Sequence, residues 1–535
     1  MRLTRPRPIA ILGALAVSLT LVVGSVAAAD LSESKGFRKA VTVPGIREHQ
    51  AALQTIATTA GGNRLAGTAG HDASAVYVHD KMVAAGYDVS YQEFTFLLVS
   101  DRTPPVFART TPPTASYVDG VDFGTMTYSG SGETTAGLWA VDLLLPPVGG
   151  STSGCEAADF AGFPAGAIAL MQRGTCTFRA KAENAFAAGA TGAVIFNEGN
   201  TPDRSGVLFG TLNPPPTLAA GPVIGTTFAL GQSLANGHTT GATGISAHLK
   251  TDTIAEERTT RNVIAETPTG DPTHVVVIGA HLDSVSRGPG INDDGSGTGT
   301  DLEVAEAYAA QGRIPDTRNK LRFIWFSGEE EGLLGSHFYV DSLSEAEQSN
   351  IMAMLDFDML GSPNFVRFVY DGDNSAFPVG PGVAAGPPGS AFIEDLFTDY
   401  FNSASLATDP TAFDGRSDYG PFIAVGIPAG GVFAGAEGIK TASQVTAYGG
   451  TAGIQYDPCY HLACDTFTGS GDGAGATAPG RGLIGLDQLS DAVAHAVLTL
   501  ARTKVDVRQT EASAALKTSG SLVRDSAGPR QPADR

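Results

Sequence analysis

Three short apolar runs in the second half of the chain most constrain how it can fold. They span 274–280 (HVVVIGA), 321–327 (LRFIWFS) and 351–358 (IMAMLDFD), and helical patterns such as 300–310 separate them. Continuous apolar strands that alternate with helices are typical of a parallel sheet covered on both faces. The sequence therefore predicts an α/β fold with a mixed, mostly parallel sheet flanked by helices.

Each apolar run leads into side chains that can bind a metal ion. The first is followed by His281, Asp283 and 292–294 (NDD), the second by 329–331 (EEE), and the third ends in 356–358 (DFD). The carboxyl ends of neighbouring strands form the sites of open α/β sheets. One such motif alone is more often a surface pair or a solvated helix start. Three successive strand ends together predict a metal site, and histidine among carboxylates favours zinc over cobalt or manganese.

Two residues beside these motifs have a predicted supporting role. Asp283 is placed either to accept the second ring N–H of His281 or to cap the end of its strand, and the sequence is compatible with both interpretations. His461 stands between Cys459 and Cys464, where a short disulfide loop would hold it rigidly. Of the ten histidines, only His281 and His461 have such surroundings.

The four cysteines are Cys155, Cys176, Cys459 and Cys464. Four cysteines allow three pairings, of which Cys155 with Cys176 and Cys459 with Cys464 closes the shortest loops. A zinc finger is the alternative, but no C-x2-C spacing occurs. Two local disulfides are expected, and disulfides are typical of exported proteins.

The first residues have the pattern of a targeting segment. Three arginines precede an apolar run over 9–26, and small residues follow at 27–29. A membrane anchor is the alternative, but polar and glycine interruptions and the small-residue end favour a signal peptide over 1–29. We therefore expect a secreted protein that has no membrane segment once the signal peptide is removed.

The net charge of the chain limits the kinds of molecule that it is expected to bind. Lys and Arg number 34 against 55 Asp and Glu, so the formal net charge is −21. A strongly acidic chain is a poor match for the phosphate backbone of a nucleic acid. Nucleic acid is therefore excluded as an expected partner.

Composition changes along the chain predict further domain boundaries. After the signal peptide, 30–98 has helix and strand patterns, whereas 99–256 is rich in Gly, Thr, Pro and short apolar runs, which predicts a β-rich insert. The α/β pattern occupies 257–502. The polar stretch 503–535 is expected to be a disordered tail.

Several segments together resemble the M28 family of zinc aminopeptidases, most of all the secreted bacterial leucine-type enzymes. The similar segments are 281–297 (HLDSVSRGPGINDDGSG), 329–340 (EEEGLLGSHFYV), 355–364 (LDFDMLGSPN), 415–422 (GRSDYGPF) and 456–466 (YDPCYHLACDT). The resemblance covers nearly all of 42–98 and 260–502. It implies the fold of zinc exopeptidases.

The resemblance also implies the metal ligands. Two zinc ions would be bridged by Asp293, one completed by His281 and Asp358 and the other by Glu330 and His461. Glu329 would not bind metal and would act as the general base on the metal-bridged water.

Further positions match residues around the substrate in this family. Tyr460 matches a hydroxyl that steadies the developing oxyanion, and Arg416 and Phe433 match residues that line the substrate pocket. The implied activity is removal of N-terminal residues from peptides or proteins, with preference for a large hydrophobic residue such as Leu. The alternatives are a carboxypeptidase on the same scaffold, a glutaminyl cyclase with one zinc, and a non-catalytic binding protein.

Two finer features follow from the same resemblance. The family often has a cis peptide after its bridging aspartate, here between Asp293 and Asp294. In some relatives a calcium ion uses acids of the last helix, matched here by Asp487 and Asp491. The N-terminal acid of that calcium site has no counterpart near Val41.

The insert resembles a protease-associated (PA) domain. The similarity lies in 173–178 (RGTCTF), Lys181 and 188–197 (AGATGAVIFN). This resemblance implies a lid or a surface that contacts substrate or protein partners. An inert β-rich spacer is an equally weighted alternative.

Overall fold

The computed structural model describes residues 31–201, 204–212, 217–380, 382–469 and 480–510. The helices are α1 Leu31–Arg38, α2 Val43–Thr59, α3 Ala69–Ala85, α4 Phe178–Ala187, α5 Phe228–Ala235, α6 Gly295–Ala310, α7 Leu334–Ser342, α8 Glu345–Asn350, α9 Ser390–Ser403, α10 Tyr419–Ala424, α11 Ala442–Tyr448 and α12 Arg481–Arg502. The strands are β1 Asp88–Arg109, β2 Ala115–Ser116, β3 Phe123–Thr125, β4 Gly132–Ala140, β5 Ile168–Gln172, β6 Gly192–Phe196, β7 Val223–Thr226, β8 Gly241–Glu266, β9 Asp271–His281, β10 Asn319–Phe326, β11 Ile351–Asp356, β12 Phe368–Tyr370, β13 Asp409–Thr411 and β14 Ala429–Phe433.

The three apolar runs form adjacent strands of a mixed sheet. They are β9, β10 and β11, and β9 lies between the other two with parallel pairing on both sides. β14 pairs parallel to β11, whereas β8 pairs antiparallel to β10. The predicted mixed, mostly parallel sheet with flanking helices is confirmed for this part of the chain.

The strands are apolar throughout because both faces of the sheet are covered. Along β9, Val276 and Ile278 pack into a cluster with α6 and α12, whereas Val275 and Val277 pack into a second cluster with α7 and α10. Alternation of this kind follows from the two-residue period of a strand. All four side chains are at most 2% exposed.

The insert shares its sheet with the α/β part. β1 pairs antiparallel with β8 over most of their length, and β8 also pairs with β4, from which the sheet continues through β5, β6 and β7. The boundaries expected at 98/99 and 256/257 therefore fall inside two continuous strands. The composition changes where a strand passes from one hydrophobic core to the other. In β1, Tyr91 packs on the main core and Leu97 on the core of the insert, although the strand itself has no break.

The disordered tail was expected to begin at residue 503, but the described residues just after 503 pack against the core. A 3-10 helix spans Val507–Gln509, and the Val507 side chain is fully buried in the main core. This short helix has only one apolar residue, so the sequence shows no hydrophobic periodicity that would predict it. The expected disorder over 511–535, like the signal peptide over 1–29, lies outside the described residues.

Helix α12, with 22 residues, is the longest helix of the described chain. Among the residues that the structure describes, it is the one helix long and apolar enough to cross a membrane. Leu489, Val493 and Val497 are fully buried against the sheet and α9. The hydropathy of α12 is thus accounted for by its position in the core.

We expect the Ile278→Ala variant to lower the free energy of unfolding by about 2–5 kcal/mol, because it opens a cavity in a fully packed core. Chemical denaturation followed by tryptophan fluorescence measures the change. Val83→Ala, at a side chain that is 52% exposed, is the control and should change stability by less than about 0.5 kcal/mol. Equal effects of the two substitutions would contradict the assigned core.

Candidate active site

The ends of three parallel strands bring the predicted site residues to one edge of the sheet. β9 ends at His281, which pairs with Phe326 at the end of β10. The chain then turns through 327–328 to Glu329 and Glu330. β11 ends two residues earlier, at Asp356 opposite Gly279, so that Asp358 follows at the level of His281 on the same edge.

Asp293 lies between the two predicted ligand sets. Its Oδ1 is 3.1 Å from Nε2 of His281, and its Oδ2 is 3.2 Å from Nε2 of His461. His281 Nε2 is also 3.6 Å from Asp358 Oδ1, and His461 Nε2 is 3.0 Å from Glu330 Oε2. The structure thus brings all five predicted ligands together, with one carboxylate shared by two groups. Glu329 is buried beside them and belongs to neither group.

Asp294 also lies near His281 and Asp358, but its oxygens have other partners. Oδ1 accepts the backbone N–H groups of Gly297 and Met359, and Oδ2 accepts that of His281. A carboxylate with these contacts joins the first turn of α6 to the ends of two strands. The peptide between Asp293 and Asp294 is cis, as the resemblance implied.

Of the two interpretations of Asp283, the structure does not show the hydrogen bond from His281. The closest atoms of the two residues, Nδ1 and Oδ1, are 3.9 Å apart, which is too long for a hydrogen bond. Asp283 instead accepts backbone N–H groups from Gly328, Glu329 and Glu330, at 2.8 to 3.3 Å. Buried amides need partners, so this carboxylate is used to hold the loop that carries Glu329 and Glu330.

His461 lies in a short loop closed by a disulfide, and Asp465 follows that loop in the chain. Disulfides join Cys459 to Cys464 and, in the insert, Cys155 to Cys176, so the predicted pairing is confirmed. Asp465 accepts the backbone N–H of Asp293 at 3.0 Å and that of the residue before it at 2.7 Å. His461 itself has a left-handed backbone with φ of 58°. The loop of the second histidine is thereby tied to the shared carboxylate.

Arg64 is a fully buried cation that organises the loop before Asp293. Its guanidinium donates to the carbonyl oxygens of Leu282, Pro289 at 2.9 Å and Gly290 at 2.6 Å. Its backbone N–H donates to Ser284 Oγ at 2.9 Å. A loop with several inward-facing carbonyl groups needs such a donor, because buried polar groups without partners are costly.

The predicted substrate-side residues differ in their connection to this centre. Tyr460 stacks on the His461 ring with 3.8 Å between centroids, and its hydroxyl accepts a hydrogen bond from Arg416 Nη2 at 3.1 Å. Phe433 ends β14 and packs on Phe368 with 5.8 Å between centroids. β14 pairs parallel to β11, so Phe433 lies at the same sheet edge as the ligands, without a described contact to them.

The site has a strongly negative potential. Burial disfavours a charged imidazole, yet the nearby carboxylates raise the pKa values of His281 and His461 well above the usual value. Burial raises the pKa of Glu330 to about 7, and it also raises that of Asp358. Carboxylates concentrated in this way repel one another unless a cation lies between them.

The donor set fits a metal ion. Glu330 Oε1 and Asp358 Oδ1 are buried and have no hydrogen-bond partner among the described residues. Two imidazole nitrogens and three carboxylates are the ligand types that zinc binds in proteins. These two oxygens are thus placed to bind a cation and lack the hydrogen-bond donors that would otherwise satisfy them.

The two acids matched to a calcium site have a different environment. Asp491 Oδ2 is 3.5 Å from Arg38 Nη1 and 3.4 Å from the Tyr400 hydroxyl. Within the described ranges, neither Asp487 nor Asp491 belongs to a group of three potential metal ligands. An arginine therefore supplies the positive charge at Asp491.

Sequence reasoning missed the residues that hold the backbone of the site. These residues are Arg64, Asp294 and Asp465, and the backbone partners of Asp283 were not indicated by the sequence. An arginine after Gly-Gly-Asn, and an acid after Cys464, were the available signals. Neither signal says which distant carbonyl or amide the side chain reaches.

Comparisons with known proteins identify the family. The profile of peptidase family M28 matches residues 262–476, and that of the PA domain matches residues 140–234. An aminopeptidase of Pseudomonas aeruginosa is 47% identical over 414 residues, which are 77% of this chain and 74% of that protein. The chain belongs to peptidase family M28. Its class, a hydrolase of peptide bonds with an inserted PA domain, is as the sequence predicted.

Further relatives agree with this assignment. A probable leucine aminopeptidase 2 of Aspergillus fumigatus is 42% identical over 76% of this M28 peptidase and 75% of its own length. The solved aminopeptidase of Aneurinibacillus sp. strain AM-1 is 27% identical, with a TM-score of 0.63 over 89% of this chain and 98% of that one. A zinc aminopeptidase from Bacillus subtilis, 23% identical, shares the fold with a TM-score of 0.58 over 88% and 98% of the two chains.

We expect Arg64→Lys to lower the free energy of unfolding by about 2–4 kcal/mol, because lysine lacks the planar fork and leaves buried carbonyl oxygens without donors. Chemical denaturation measures the loss. Arg102→Lys makes the same exchange at a side chain that is 57% exposed and paired with Asp252, and it should change stability by less than about 0.5 kcal/mol. Similar losses in both variants would contradict the role given to Arg64.

Proposed function

We propose that this M28 peptidase is an exported aminopeptidase that carries two zinc ions at the carboxyl edge of its sheet. One observation carries the proposal: the Asp293 carboxylate has a histidine at 3.1 Å from one oxygen and another at 3.2 Å from the other oxygen. Asp293 would bridge the two ions. His281 and Asp358 would complete one, and Glu330 and His461 the other.

Zinc is the favoured metal for two reasons. Imidazole and carboxylate donors suit it, whereas an all-oxygen set would favour magnesium or calcium. The Bacillus subtilis protein that shares this fold is described as a zinc aminopeptidase. Calcium at Asp487 and Asp491 is not part of the proposal, because Arg38 already supplies a positive charge there.

Bound zinc ions would supply Lewis acidity toward the scissile carbonyl group and lower the pKa of the attacking water. Glu329 is the general base in this proposal. It lies next to Glu330 in the chain, and Asp283 holds the backbone N–H groups of both residues. A carboxylate fixed there takes the proton from water and delivers it to the leaving amine.

Tyr460 is assigned to the carbonyl oxygen of the substrate. Its ring is fixed on His461, so its hydroxyl stays close to the proposed metal ligands. Burial raises the pKa of Tyr460 well above its usual value, so the hydroxyl keeps its proton. A neutral O–H can donate a hydrogen bond to the oxygen as negative charge develops on it.

Carboxylates that do not bind metal would select the end of the substrate. With zinc bound, the metal charge offsets that of the ligand carboxylates, so these remaining carboxylates, Glu329 among them, are the groups that attract a cationic α-amino group and repel a substrate carboxylate. This favours removal of the N-terminal residue over a carboxypeptidase activity. Phe433 and Phe368 at the same edge, together with the leucine aminopeptidase relatives, support a large hydrophobic N-terminal residue such as Leu.

Export is proposed from the amino-terminal pattern together with the disulfides. Both disulfides are typical of an oxidising compartment. In the proposed organisation, 1–29 is the signal peptide, 30–98 and 257–502 form the peptidase, and 99–256 carries the PA domain. Peptides or proteins with a free N-terminus are the proposed substrates.

We expect the purified protein to cleave leucine p-nitroanilide and to leave N-acetyl-leucine p-nitroanilide intact, because the acetyl group removes the cationic amine. A chelator should abolish cleavage, and added zinc should restore it. Absorbance of released p-nitroaniline measures the rate. Equal cleavage of both amides, or full activity in chelator, would contradict a metal-dependent aminopeptidase.

Two substitutions separate the base from the bridging ligand. Glu329→Gln should retain both zinc ions and lower kcat by about 10³-fold or more, because only proton transfer is lost. Asp293→Asn should lose both zinc binding and turnover. Metal analysis by mass spectrometry and steady-state kinetics give the two readouts.

The control is Glu345→Gln, at an exposed position of helix α8, which should change neither readout. A Glu329→Gln variant with nearly full kcat would show that another group takes the proton. An Asp293→Asn variant with two zinc ions would remove the bridge from the proposal.

A further inference from the structure

We infer that Glu437 is a positioning residue, which orients the hydroxyl of Tyr460 through Arg416. The inference rests on the proposed function, because it refines the role given there to Tyr460. None of the sequence segments that resemble family M28 contains Glu437. Its assignment comes from contacts between three segments that are distant along the chain.

The contacts form a chain that leads to the proposed metal ligands. Glu437 Oε1 is 2.7 Å from Arg416 Nη1, and Arg416 Nη2 is 3.1 Å from the Tyr460 hydroxyl oxygen. The Tyr460 ring then stacks on His461 at an interplanar angle of 25°. Glu437 and Tyr460 therefore use different nitrogens of one planar guanidinium, so the first contact sets the direction of the second.

The direction matters because it decides where the hydroxyl proton lies. A guanidinium can only donate hydrogen bonds, so the Tyr460 oxygen must be the acceptor. Its own hydrogen is then left to point away from Arg416. Since the ring is fixed on His461, rotation of the O–H is the remaining freedom, and Arg416 restricts it. The proton is thereby available for a substrate carbonyl oxygen.

Glu437 is charged and firmly placed. Burial would raise the pKa of Glu437, but the Arg416 guanidinium outweighs it and holds the pKa below the usual value. On both sides of Glu437 the backbone is tied down: Ala436 accepts the N–H of Asp457 and Gly438 accepts that of Tyr456, each at 2.9 Å. These partners lie just before Tyr460 in the chain.

The ion pair between Arg416 and Glu437 is expected to contribute little to folding stability. The side chains of Arg416 and Glu437 are 42% and 30% exposed, and pairs in this range add little to stability. What the Glu437 contact provides is a fixed orientation of Arg416. Its removal should therefore affect turnover more than folding.

The test compares kcat and KM on leucine p-nitroanilide in a set of zinc-loaded variants. Glu437→Ala removes the acceptor, and Glu437→Gln keeps a carbonyl oxygen that can still accept from Arg416. Tyr460→Phe and the double variant Glu437→Ala with Tyr460→Phe complete a cycle. Glu345→Ala on α8 is the matched control. Zinc content and melting temperature are measured for each protein.

We expect Glu437→Ala to lower kcat about tenfold with KM changed less than about twofold, and Glu437→Gln to recover most of the loss. Tyr460→Phe should lower kcat by about 10²-fold, and Glu437→Ala should cost almost nothing further in that background. Zinc content and melting temperature should match those of the control.

Two results would overturn the inference while the proposed function stands. One is an unchanged kcat in Glu437→Ala, and the other is the same tenfold loss from Glu437→Ala in the Tyr460→Phe background. Failure of the proposed function looks different. In that case the parent protein shows no chelator-sensitive cleavage, or Tyr460→Phe retains the parent kcat.

Discussion

The shared carboxylate of Asp293 is the contact on which the rest of the site depends. His281 lies at the end of a core strand, whereas His461 lies in a disulfide loop near the end of the peptidase part. Asp293 joins these distant segments because each of its oxygens faces one histidine. The loop geometry around Asp293 therefore controls the spacing of both predicted metal positions.

A second layer of buried carboxylates keeps that geometry in place. Asp283, Asp294 and Asp465 each accept two or three backbone N–H groups from segments that carry the proposed ligands. Burying so many acids is costly unless each finds donors or a cation. The backbone amides provide donors for the outer acids. The inner ones, which lack such donors, are those that fit the metal ions.

The insert is joined to this site by more than its sheet. Arg287, in the loop between His281 and Asp293, lies 3.1 Å from Asp119 of the insert and packs over the Phe209 ring at 4.5 Å. The long β1 and β8 strands also connect the same two parts. The PA domain thus contacts the loop that carries the shared carboxylate, which is consistent with a lid as well as with a spacer.

The α/β class, the three core strands and the local disulfide pairing could be predicted from the residues alone, whereas the resemblance to family M28 implied the five proposed ligands. An apolar run predicts a buried strand, and the residues that follow it lie at the sheet edge. Four features required the folded structure: the partners of Asp283, the role of Arg64, the continuity of β1 and β8 across the insert, and the contact of Glu437 with Arg416. Each of these depends on which distant backbone or side chain fills the remaining space. Such long-range contacts leave no periodic pattern in the chain, because a single polar residue is placed by the packing around it.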